Sequence, residues 1–91
     1  MNDEQRESEL YEKLEQVKTR RDLVEFISDL HQDLENHPED WENPSLLHFL
    51  QAMGSWVGSM DYAYRNVGIE FSEDQPWKLF GRILFSARSY E

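Results

Sequence analysis

The sequence contains no cysteine, which removes disulfides, thiolate nucleophiles, thiolate-held metals and thiol redox sensing together. Small secreted domains commonly need such cross-links, because a short chain buries too little surface to stand alone. The N-terminus is polar and acidic and offers no apolar signal segment, so the expected compartment is the cytoplasm. No stretch approaches the roughly 20 apolar residues of a membrane span. Prolines number three and glycines four. Gly54, Gly58, Gly68 and Gly81 are scattered, and none opens a strand-to-helix turn that could cradle phosphate. No serine stands in a nucleophile-elbow setting. Basic residues are scarce as well: 9 Lys and Arg face 19 Asp and Glu, for a net charge of −10. Such a surface repels nucleic-acid backbones and anionic membranes, which leaves a protein partner with a basic face as the electrostatically favoured one.

What is present is a set of helical patterns and many large rings. The 91 residues include three Trp, four Tyr and five Phe, and a chain of this length supports one core, so a single helical domain over 1–91 is expected. Turn signals divide it into four helices, at about 4–17, 20–36, 44–65 and 76–89, and the predicted fold is an all-α compact four-helix bundle. In the first helix Leu10, Leu14 and Val17 make a narrow apolar stripe. Thr19 and Asp22 form an approximate capping box for the second helix, in which Leu23, Phe26, Ile27, Leu30 and Leu34 recur at helical spacing. Pro38 breaks the pattern. Asn43 then reads as an N-cap with Pro44 at the first helical position.

From 46 to 66 the only charged residues are Asp61 and Arg65. Leu46, Phe49, Leu50, Met53, Trp56, Val57, Met60 and Tyr64 fall on one broad arc of this third helix, which is therefore expected to be covered and central to the core. Gly68 permits a left-handed turn, and 67–75 reads as a loop with a short extended piece at 69–71. The last helix carries Trp77, Phe80, Ile83, Leu84 and Ala87 as its apolar side, with Lys78, Arg82 and Arg88 as a basic one.

The Trp41-Glu42-Asn43-Pro44 and Pro76-Trp77-Lys78-Leu79-Phe80 pieces, together with Leu46, Phe49, Leu50, Trp56, Met60-Asp61, Tyr64 and the closing Tyr90-Glu91, resemble a group of small acidic bacterial proteins classed as a domain of unknown function. The resemblance covers the chain from about Val17 onward. It implies a bacterial helical domain and brings no catalytic residue, metal or cofactor with it.

Several side chains invite a functional reading beside a structural one. Trp41 and Trp77 each stand beside a proline where a helix begins, a placement that suits a lid over the core; the alternative is an exposed binding anchor. His48, Gln51, Ser55, Ser59 and Tyr62 form a polar, uncharged strip opposite the apolar arc. It is either an ordinary wet face or a place where a partner docks without desolvating carboxylates. Gly54 and Gly58 add a small notch for a close helix, from this chain or from a second copy. Asp61 could act as an acid or base, but Arg65 one turn on favours an ion pair. His31, Glu35 and His37 make a chance-level metal pattern with no fixed third ligand, so no metal is expected.

The leading expectation is a cytoplasmic protein-interaction module without enzymatic activity, in a sharper form an inhibitor or immunity-type protein that masks a basic enzyme. A homodimeric assembly protein is the second class, and an enzyme using Asp61 the third.

Overall fold

A computed structural model describes residues 3–90, and its architecture is helical. Five α-helices follow one another: α1 (Asp3–Glu15), α2 (Arg20–Asn36), α3 (Leu46–Gly58), α4 (Met60–Asn66) and α5 (Trp77–Ala87), with a 3-10 turn at Pro38–Asp40. No strand occurs among the described residues, and 69–71 carries no regular secondary structure. No described helix is long and apolar enough to cross a membrane. The chain forms two compact units, Met1–Gly54 and Ser55–Glu91. Glu91, the last residue of the family-like motif, lies outside the described residues.

In the first unit α1 folds back on α2 as a helical hairpin. The cross-pairs run antiparallel, since Arg6 meets Asp33 while Lys13 meets Asp29. Leu10, Val17, Phe26, Leu30 and Leu34 are its half-buried apolar residues. The capping box forms as the sequence implies. Thr19 Oγ1 accepts the Asp22 N–H at 3.0 Å, and the Asp22 carboxylate accepts from the N–H groups of Lys18 and Thr19 at 3.0 and 3.2 Å. These bonds, the one from Lys18 foremost, hold the Asp22 carboxyl below its usual range. At the far end the His37 N–H still reaches the Asp33 carbonyl, at 2.8 Å. Pro38 has no N–H to continue the ladder, and the backbone tightens into the 3-10 turn.

The third helix departs from expectation in two ways. It starts later than 44, because Ser45 rather than Asn43 caps it: Ser45 Oγ accepts the His48 N–H at 3.2 Å, and its carbonyl accepts the Phe49 N–H at 2.9 Å. It also does not run unbroken to 65. At Ser59 the ladder changes register, with the Ser59 N–H on the Trp56 carbonyl and the Tyr62 N–H on the Ser59 carbonyl, both at 3.1 Å. The Ser59 hydroxyl donates to the Ser55 carbonyl at 3.0 Å. Such back-bonding by serine, next to the flexible Gly58, bends helices.

The second unit contains that bend, α4, the loop and α5. After α4 the backbone turns through Gly68, whose φ of +76° suits a residue without Cβ. Tyr64, Phe71, Trp77 and Phe80 form a chain of rings with successive centroid separations of 5.5, 6.5 and 6.4 Å. The Tyr64 and Phe71 rings meet edge to face at 89°, the favoured aromatic geometry.

The expectation that α3 is covered is overturned. Among the described residues no side chain is fully buried, and Leu46, Leu50 and Trp56 are 72, 47 and 53% exposed. Only Met53 on α3, and Met60 and Tyr64 beyond it, are half-buried within the expected arc. The physical reason is local. In the first unit α2 takes α1 as its partner, and the packing between elements is concentrated there and where α2 meets the 3-10 turn.

Candidate functional site

A set of polar contacts that joins three elements of the first unit centres on Asp33, on the last turns of α2. Its Oδ1 accepts Arg6 Nε at 2.8 Å, and its Oδ2 accepts the Trp41 indole Nε1–H at 2.8 Å. Arg6 also donates through Nη2 to Asp40 in the 3-10 turn. The Asp40 and Asp33 carboxylates, with Asp40 the stronger, push the Arg6 guanidinium above its usual range, so it stays charged at any physiological pH. The side chains of Arg6 and Asp33 are only 15 and 10% exposed. Trp41 is half-buried, and its ring lies 6.2 Å from that of Phe49. Beside this cluster opens a groove of about 470 Å³ whose walls include Arg6, Leu10, Asp40, Trp41, Asn43 and Phe49.

This arrangement explains the local sequence. Pro38 ends α2 and the 3-10 turn returns the chain, which carries Asp40 and Trp41 back toward Asp33. A half-buried indole N–H requires an acceptor, and Asp33 supplies it. Two carboxylates then converge on a planar guanidinium, which matches Arg far better than Lys. The chemistry available is cation recognition beside an aromatic wall.

The uncharged strip is only partly assembled. His48, Gln51 and Ser55 share a face of α3 and are exposed. Ser59 falls in the bend, its hydroxyl committed to the backbone, and Tyr62 belongs to α4. Tyr62 is 63% exposed, with the Arg65 guanidinium 5.2 Å from its ring centre. Trp77 stands apart from Trp41 in role: half-buried between Phe71 and Phe80, it donates Nε1–H to the Glu73 carbonyl at 2.8 Å and locks the loop to α5. A Cβ built on Gly54 or Gly58 would meet nothing within 4 Å beyond its own stretch of helix backbone. No close helix fills that notch among the described residues.

Asp61 pairs with Arg65 at 3.9 Å on the surface. His31 pairs with Glu35 at 3.5 Å, whereas His37 groups with Glu39 and Asp40, whose ligand-type atoms lie within 4.8 Å. Because Arg6 already engages Asp40, a cation occupies that corner from within the chain.

Arg6, Asp33 and Asp40 were not marked by the sequence pattern, and Phe49 was marked only as part of the apolar arc. Arg6 and Asp33 are 27 residues apart, beyond any spacing rule, and the one usable signal was the acceptor that Trp41 needs.

Neither the curated proteins nor the solved structures contain a match to this chain. A family model described as a family of unknown function, DUF7660, matches residues 19–91. The match opens at Thr19, the N-cap of α2, so Asp33, Asp40, Trp41 and Phe49 lie within it and α1 lies outside. With most of its length matched, from the capping box through α5, the chain belongs to the DUF7660 family of unknown function.

Proposed function

We propose that this protein is a small acidic, cytoplasmic protein-interaction module rather than an enzyme, and that α3 is the surface its partner covers. The observation that carries the reading is α3 itself: thirteen residues without one charged side chain, none of them buried, in a chain of net charge −10. Contiguous exposed apolar surface of this kind marks interaction sites. The surrounding carboxylates favour a partner with a basic rim around an apolar centre, and they would speed its approach at low salt. An inhibitor or immunity-type role toward a basic enzyme is the sharpest form of this reading. Asp61, paired with Arg65 at the surface, supports a structural role over a catalytic one.

The test is affinity capture from native extract at low and high salt, with the wild-type chain and with Leu47→Glu, a substitution at a residue 75% exposed. A partner held by the wild-type chain, released by salt and lost from a normally helical Leu47→Glu chain is the expected result. Equal capture by both chains would remove α3 from the interface. A homodimer is the second reading, favoured by the open notch at Gly54 and Gly58; light scattering across a concentration series that reports a monomer throughout rejects it.

A further inference from the structure

We infer that the surface formed by Asp33, Asp40, Trp41 and Phe49 is a receptor for an arginine-bearing amphipathic helix, which the chain's own α1 occupies and a partner helix of the same chemistry can replace. Three observations carry this. First, the receptor lies inside the family match and its occupant lies outside it. Second, α1 is held as a ligand is held rather than as a core helix. Its anchors are Arg6 on Asp33 and Asp40 and Lys13 on Asp29, at 3.4 Å for the latter, while Leu14 and Tyr11 remain 45 and 62% exposed. An element with few buried apolar contacts sits at the low-stability end of a structure and detaches without global unfolding. Third, the groove continues past Arg6 to Trp41 and Phe49, so it has apolar wall that α1 does not use up.

The seated helix also spells out its own recognition pattern. Arg6, Leu10 and Lys13 occupy positions i, i+4 and i+7, one face of a helix. The guanidinium takes two carboxylates at once, by Nε and by Nη2, a fork that an ammonium cannot reproduce. The partner helix this site fits therefore has arginine at i, an apolar residue at i+4 and a base at i+7. The site shares Phe49 with the α3 surface of the proposed function, and Asp33→Asn here and Leu47→Glu there let the two readings fail separately.

The experiment uses the full chain and a fluorescent peptide with the sequence of residues 1–18. Arg6→Ala in the chain loosens the resident helix, and apparent affinity rises with the fraction of chains whose seat is open, so the peptide should bind this variant at least about tenfold tighter than it binds the wild-type chain. Adding Asp33→Asn should abolish that gain, and a peptide with Arg6→Lys should bind weakly to every chain. An Arg6→Ala chain of normal helicity that binds no tighter overturns the inference, as does a gain that survives Asp33→Asn. Should Arg6→Ala fail to fold, the isotope-labelled wild-type chain decides by NMR: its own Arg6 Nε–H signal must move on titration with unlabelled peptide, because the displaced side chain leaves Asp33, and a signal that stays put up to millimolar peptide overturns the proposal.

Discussion

The two compact units are held by opposite kinds of force. In the first, one carboxylate, Asp33, ties α1, α2 and the Trp41 turn together through charged and polar bonds. In the second, four rings from Tyr64 to Phe80 do the same for α4, the loop and α5. Charge-mediated cohesion weakens with salt and depends on protonation, while ring packing does neither. With no fully buried side chain among the described residues, the chain thus has one unit whose cross-ties respond to ionic conditions and one whose ring contacts do not.

The largest expected effect comes from removing the middle of the ring chain. Trp77→Ala should cost about 2 kcal/mol in urea unfolding, less than the 3–5 of a fully enclosed ring because the site is half-open; a variant as stable as wild type would reduce the ring chain to surface decoration. Next, Asp33→Asn should lower the thermal midpoint by a few degrees and flatten its dependence on salt, whereas Phe80→Leu should leave the salt dependence as it was. Identical salt curves for the two variants would erase the contrast between the units. A smaller effect is expected from acid. The folded-state carboxyl of Asp22 is held low, so its contribution is complete above the ordinary Asp value of about 3.9 and fades as pH falls through the lowered one. Circular dichroism should show helix lost in that range, and Asp22→Asn should remove this part of the acid transition. Asp61→Asn should be the mildest, about 0.3 kcal/mol, as for exposed helical ion pairs. A loss several times larger would give Asp61 a role that its surface setting does not suggest.

The local signals in the sequence carried most of the helical layout. Thr19 and Asp22 start α2 and Pro38 stops it, and Pro76 and Gly68 frame the loop before α5, because caps and breakers act over three or four residues. The start of α3 was missed by two residues, since Asn43-Pro44 and Ser45 offer competing caps. Its bend was missed because Ser59 acts on the backbone behind it, which a hydrophobic period does not register. Burial was the deeper miss. The arc expected from Leu46 to Tyr64 is split between α3 and α4, and a period shows which residues seek cover, not whether another element supplies it. The same limit hid the site: Trp41 was visible as a candidate, while its connection to Asp33 and Arg6 arises only once α1 lies against α2.

The connector at 16–19 has a quantitative consequence. A tether that short gives α1 an effective molarity at its seat on the order of millimolar. A free helix of equal intrinsic strength would need a comparable concentration to displace it, so only a markedly stronger rival, or a chain cut within those four residues, would see the seat vacant. Such a cut would lower the threshold for binding without altering one atom of the receptor.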